Sequence, residues 1–307
     1  MSSHGPLSRR AALRAGLAAS AAGLLATGYL AGSPAIAAPD PSRRACDELR
    51  ELERQHNARL GVYATNVRTG ATVAYRAHER FPMCSTFKTL AAAAILRDLD
   101  RDGEFLDRLI RYTSDDVVDN STITKDHVAE GMRIRELCWA AICHSDNTAG
   151  NLLLRQIGGP AGITRFCRSL GDHHTRLDRW ETELNTAIPG DPRDTTTPRA
   201  IGHDYRQLVL GDALNRRDRD QLTAWLKANT TSTKRFRAGL PANWALGDKT
   251  GAGDYGTVND VGIAWTPDGT PIVLAVLSTK FDQKAPMDNE LIADTARLLA
   301  RTLAPGA

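Results

Sequence analysis

Strand-type patterns lie toward the two ends of this 307-residue chain and almost nowhere between them. Residues 60–67 and 71–76 alternate apolar and polar side chains and are joined by Arg68-Thr69-Gly70, which predicts a β-hairpin. Residues 244–251, 261–265 and 271–277 also read as strands, the last two forming a hairpin around Thr266-Pro267-Asp268-Gly269. The intervening pattern is helical, over 134–142, 148–157, 162–170, 199–210 and 219–229. Amphipathic helices are expected at 47–58 and 289–303. Strands so far apart in sequence share a core most simply by joining one antiparallel sheet covered by the terminal helices. The predicted fold class is therefore α/β (α+β): that sheet, with an all-α lobe inserted. Residues 38–80 and 228–307 would form the sheet lobe and 81–227 the helical lobe. Together they would make one structural domain with a pocket at the lobe boundary.

Residues 1–37 read as a leader. Ser8-Arg9-Arg10 and Arg14 precede an alanine-rich apolar run, and Ala35-Ile36-Ala37 offers small residues for cleavage near Ala37-Ala38. Paired arginines before a weakly apolar run resemble a twin-arginine signal, with a general secretory signal as the alternative. The mature protein is thus expected outside the cytoplasm, periplasmic or secreted, after passage through the twin-arginine translocation machinery. Removing the leader takes the formal charge from +3 to zero, which argues against a nucleic-acid partner. Five cysteines, an odd number, do not form a disulfide framework for a chain this long. No pair has zinc-finger spacing, so neither metal nor organic cofactor is expected, and a monomer is the default.

Three short motifs stand out. In Cys84-Ser85-Thr86-Phe87-Lys88, an alanine-rich helix starting near Ser85 would put Ser85 and Lys88 on one face. A hydroxyl beside an amine at a helix N-terminus suits a nucleophile, because the free N–H groups there favour negative charge. Ser145-Asp146-Asn147 lies between two predicted helices, where an extended turn would present Ser145 Oγ and the Asn147 amide together. Lys249-Thr250-Gly251 ends a strand, and Gly251 would let a ligand approach the backbone closely. Singly, these are a helix cap, another helix cap and a strand end.

In this order, the S-x-x-K, S-D-N and K-T-G motifs resemble those of the penicillin-recognising serine enzymes. Glu181-Thr182-Glu183-Leu184-Asn185, inside a long polar stretch from 171 to 198, is similar to the E-x-x-L-N signature of class A serine β-lactamases. The resemblance spans residues 42 to 305. It implies hydrolysis of the β-lactam amide of penicillins and cephalosporins through an acyl-serine intermediate, and hence antibiotic resistance. By this resemblance Ser85 attacks, with its own N–H and that of Ala252 forming the oxyanion hole. Lys88, or Glu181 through a water, is the acylation base. Ser145 passes a proton to the departing nitrogen, with Lys249 close by. Glu181 and Asn185 position the deacylating water. Lys249, Thr250 and Gly251, with Arg235 or its competitor Arg237, hold the substrate carboxylate. Asn147 binds the substrate's amide side chain, and Asp260 is a structural support.

Arg179 and Asp194 are expected to bridge the base of the long loop. Thr182 stands where the family often has proline after a cis peptide. Cys84 precedes the nucleophile as in the carbapenem-hydrolysing branch, but Gly253 occupies its usual partner's place, and Cys138 faces Ala92 rather than a second cysteine. No family-type disulfide is therefore expected. Two rival classes share the first three motifs or the acylation step: cell-wall peptidases and non-enzymatic β-lactam sensors.

Overall fold

In a computed structural model the chain is described over residues 41–307; the leader and its cleavage site lie outside the described residues. Helix α1 (Pro41–Gln55) leads into strands β1 (Arg59–Asn66) and β2 (Thr72–Tyr75). Ala45 and Leu49 are buried and Leu52 packs beside them, a single apolar stripe. The helix begins earlier than the charge pattern suggested because Pro41 is tolerated in a first turn, where its missing N–H costs nothing.

Short strand β3 (Phe81–Pro82) precedes a 3₁₀ turn at Cys84–Thr86 and helix α2 (Phe87–Ala94). The alanine-rich helix expected to start near Ser85 is thus three pieces, ending in a π turn at Ile95–Leu99. Every residue of α2 is buried, and its alanines let neighbouring helices approach. Strands β4 (Leu109–Ile110) and β5 (Met132–Arg133) pair before helices α3 (Ile134–Cys143), α4 (Asn147–Gln156) and α5 (Pro160–Ser169). Helices α3, α4 and α5 pack around α2.

The long stretch after α5 holds a 3₁₀ turn at Glu183–Thr186 and strand β6 (Thr195–Thr196), which pairs with β3. The loop's return limb is therefore tied to the segment just before Ser85. Helices α6 (Pro198–Val209) and α7 (Arg216–Lys227) follow, then a short α8 (Phe236–Gly239). Helix α7 starts before the expected residue 219 because the Asn215 side chain accepts from Asp218 N and caps it.

Strands β7 (Ala245–Gly253), β8 (Thr257–Trp265) and β9 (Pro271–Thr279) complete a five-stranded antiparallel sheet in the order β2-β1-β9-β8-β7. Helix α9 (Asn289–Leu303) closes the chain. The near-continuous apolar run of β9 follows from burial on both faces. Ile272, Leu274 and Val276 point into the core shared with α1 and α9, whereas Val273, Ala275 and Leu277 join Ile201, Tyr205 and Leu208 of α6. Each buried Val, Leu or Ile among them contributes about 1.5–3 kcal/mol. The sheet is thereby fixed between two cores, and its edge strand β7 is held against the 3₁₀ turn that carries Ser85.

Candidate active site

Lys88 is the hub. Its Nζ lies 2.9 Å from Ser85 Oγ, 2.9 Å from Ser145 O, 2.7 Å from Asn147 Oδ1 and 3.0 Å from Glu181 Oε1. Lys88 and Glu181 have no exposed side-chain surface, so water does not screen the pair. Ser85 Oγ also reaches Glu181 Oε1 at 3.3 Å. One hydroxyl thus touches an amine and a carboxylate, an arrangement suited to moving its proton.

The local backbone sets these directions. Cys84 and Ser145 both sit in the left-handed region, at φ 46° and 57°. For residues with side chains this costs about 1–3 kcal/mol and persists only where the surroundings enforce it. At Ser145 the surroundings are visible: its carbonyl accepts from Lys88 Nζ at 2.9 Å and from Asn120 Nδ2 at 3.3 Å. The S-D-N segment is therefore not the extended turn expected. Asp146 caps α4 by accepting from Ala149 N at 2.8 Å, and Asn147 is the first helical residue. The left-handed Ser145, not an extended backbone, brings Ser145 and Asn147 toward Lys88.

Glu181 is held at both ends. Asn185 Nδ2 donates to its Oε2 at 2.5 Å, and Asn151 of α4 brackets its backbone, donating to Glu181 O and accepting from Glu181 N, each at 2.9 Å. The Glu181–Thr182 peptide is cis. Arg179 Nε donates to Asp194 Oδ2 at 2.6 Å, and Asp194 Oδ1 accepts from the backbone N–H of Asp178 and Arg179 at 2.7 and 2.9 Å. This is the bridge expected at the loop base.

On β7, Lys249 Nζ donates to Ser145 Oγ at 3.0 Å and to Thr250 O at 2.8 Å. Burial, and then the charges of Lys88 and Arg235, hold the Lys249 ammonium well below the usual lysine range. Thr250 Oγ1 meets Thr231 Oγ1 at 2.6 Å. Ala252 follows on the same strand, paired with Val258.

Gly251 has a different use from the one expected. A Cβ there would stand 3.0 Å from Met83 O and 3.2 Å from Cys84 Cβ, so the missing side chain makes room for the chain's own Cys84–Thr86 turn rather than for a ligand. Gly253 does the same opposite Cys84 Sγ, where a Cβ would lie 3.0 Å away. All five cysteines are free thiols.

The competing arginines separate clearly. Arg235 is buried and its Nη1 donates to Gly251 O and Asn259 O at 2.8 and 2.9 Å, while its Nε donates to Asn289 Oδ1 at 2.8 Å. Arg237 is exposed, its Nη2 directed at Lys227 O and Leu246 O. Asp260 is fully buried and its Oδ2 accepts from Phe236 N at 3.2 Å, beside the start of α8.

The structure adds residues that the sequence reading passed over. Asn151 is the most consequential, and its only sequence signal is its place four residues after Asn147, on the same face of α4. Asp119 O and Asn120 O accept from the Asn147 side chain and backbone at 2.8 and 3.1 Å, with no sequence signal at all.

The profile of the β-lactamase enzyme family matches residues 44–303. The chain is 58% identical over 300 residues to a β-lactamase of Streptomyces lavendulae, covering 96% of this chain and 97% of that one. It superposes on the β-lactamase structure from Streptomyces albus G with a TM-score of 0.84 and 61% identity, covering 85% of this chain and all of the other. A variant of the last common ancestor of Gram-negative class A β-lactamases gives a TM-score of 0.82 at 52% identity, over 85% of this chain and 98% of that one. A serine, a lysine and a glutamate in mutual contact within this fold have the same meaning as these likenesses: the chain belongs to the β-lactamase enzyme family, in its class A serine branch.

Proposed function

We propose that Ser85 is the nucleophile of a class A β-lactamase and that Glu181 releases its acyl-enzyme. The observation that carries this reading is the contact of Ser85 Oγ with both Lys88 Nζ and Glu181 Oε1, at 2.9 and 3.3 Å. Ser85 Oγ adds to the lactam carbonyl, whose oxygen takes negative charge between the N–H groups of Ser85 and Ala252. While Lys88 is an ammonium it only donates, so the Ser85 proton goes to Glu181, directly or through a water; if Lys88 is neutral, it is the acceptor. The C–N bond then breaks, and the nitrogen takes a proton from Ser145, which Lys249 replenishes across 3.0 Å. An acyl-serine ester persists unless water is activated beside it. Glu181, a carboxylate again once the acylation proton has passed to solvent, takes a proton from that water; the hydroxide adds to the ester carbon, the bond to Ser85 Oγ breaks, and Oγ takes the proton back from Glu181. Asn185 Oδ1, buried without a partner among the described residues, is an acceptor that a bound water satisfies.

Lys249, Thr250 and Arg235 form the carboxylate-binding edge, with Arg235 Nη2 carrying the guanidinium's remaining donors. Asn147 meets the substrate's amide side chain. The braced Glu181–Asn185 pair favours hydrolysis over a peptidase or sensor role. The test is turnover of a chromogenic cephalosporin by the mature protein. Many turnovers per enzyme are expected, and a stable stoichiometric adduct without turnover would contradict the reading.

The leader supports export by the twin-arginine route to the periplasm or medium, with the enzyme working as a monomer. Replacing Arg9 and Arg10 by lysine is expected to retain activity in the cytoplasm; unchanged export would point to the general secretory route. Sedimentation of the mature enzyme as a dimer would contradict the monomer.

A further inference from the structure

We propose that the chain carries a second ligand site, for a small aromatic anion, on the far side of the loop that bears Glu181. A cavity of about 440 Å³ lies between the loop's return limb, β3 and the end of β9. That volume is within the range of small-molecule sites. Its apolar wall includes Pro82, Ile188, Pro192 and Phe281. Ile188 and Phe281 are two of the few large apolar side chains left exposed among the described residues, at 44% and 70%. Both stand at this one cavity, a concentration of apolar surface that isolated exposed residues do not produce.

The charge at the wall selects an anion. Lys280 is paired with Asp288 at 2.9 Å, Arg59 with Glu79 at 2.7 Å and Asp191 with Arg193 at 2.7 Å. Arg80 differs: its Nη1 donates only to neutral acceptors, His174 O at 2.7 Å and Thr195 Oγ1 at 3.1 Å. Among the described residues no carboxylate balances it. An aromatic ring against Ile188 and Phe281, with an acidic group toward Arg80, satisfies both features.

The site adjoins the catalytic loop by two routes. One is the chain itself, since Ile188 follows Asn185 by three residues. The other is a run of backbone bonds: Lys280 N donates to Tyr255 O at 2.7 Å, and Asp254 N donates to Asn185 O at 2.9 Å. Asn185 in turn holds Glu181 at 2.5 Å. A ligand that shifts the return limb therefore moves the side chain that fixes Glu181. Binding needs no assumption about Glu181; the effect on turnover rests on the role proposed for it above.

The probe is 1-anilinonaphthalene-8-sulfonate, titrated into the mature enzyme by fluorescence and into cephalosporin turnover. Saturable binding is expected, weakened roughly tenfold by Arg80→Gln, the loss of one charge-assisted hydrogen bond, and weakened also by Phe281→Ser. Both variants keep wild-type turnover without probe. Bound probe lowers kcat and does not compete with substrate. Competitive inhibition, or binding indifferent to both substitutions, places the probe elsewhere and overturns the site. Binding that leaves kcat unchanged overturns the coupling alone. A Phe281-dependent dimer that binds no probe makes this face a contact between copies and also overturns the proposal.

Discussion

Replacing Asp194 by asparagine removes one charge from the base of the Glu181 loop while keeping nearly the same shape. The asparagine Oδ1 still accepts from Asp178 N and Arg179 N, which sit 2.7 and 2.9 Å from Asp194 Oδ1. What is lost is the contact of Arg179 Nε with Oδ2 at 2.6 Å. Asp194 is 1% exposed and Arg179 15%, so solvent reaches one side of the pair. Unit charges about 4 Å apart attract by about 4 kcal/mol at the effective dielectric that suits such sites. Allowing for partial solvation of the stranded Arg179, the expected loss is about 3 kcal/mol, the lower end for a broken buried pair. Tm should then fall by roughly 5–10 °C. Arg179 Nη1 also holds Thr186 Oγ1 at 2.8 Å, next to Asn185, so the damage should centre on Glu181. Urea unfolding measures the first effect, and rapid-mixing kinetics, separating acylation from deacylation, measures the second. A loss below about 1 kcal/mol, the value of an exposed pair, would refute the buried-pair argument. Equal slowing of both steps would refute the assignment of the loop to deacylation.

Asn151→Ala removes both bonds to the Glu181 backbone, and kcat is expected to fall about 10–100-fold through slower deacylation, with the acylation burst retained; an absent burst would contradict this. Asp204→Asn tests a buried carboxyl that lies within 4.8 Å of the Asp172 carboxyl and the Cys167 thiol. Burial first, and then the charge of neighbouring Asp172, hold Asp204 well above the ordinary carboxyl range. A raised carboxyl keeps its proton in the folded state. Its stabilising contribution is therefore complete below about pH 3.9 and is lost as pH rises toward the folded value. Relative to wild type, the asparagine variant should gain stability from about pH 4 to neutrality, and a pH-independent difference in thermal denaturation would contradict it.

The parts that were legible in the sequence are those whose cause is local. Alternation gave away β1, and apolar runs on either side of the Thr266-Pro267-Asp268-Gly269 turn gave away β8 and β9, where successive side chains such as Ile272 and Val273 point into different cores. Ser85 and Lys88 were legible because one helical turn suffices to join them. Helix starts were less so, since α7 begins where Asn215 happens to cap it and α5 where Pro160 fits the first turn. The bracket of Asn151 on Glu181 spans 30 residues and exists only once α4 and the loop are packed together. The choice between Arg235 and Arg237 likewise depended on Asn259 and Asn289, far along the chain. Gly251 was read as an opening for ligand because sequence shows a missing side chain but not what fills its place.

The central claim is that Glu181 clears the acyl group from Ser85. Mass spectrometry of Glu181→Ala mixed with a penicillin tests it most directly. One acyl group per protein, mapped to Ser85, should accumulate and persist, with deacylation slower by about 10²–10⁴-fold. An unmodified protein that still turns over substrate at close to the wild-type rate would contradict the account.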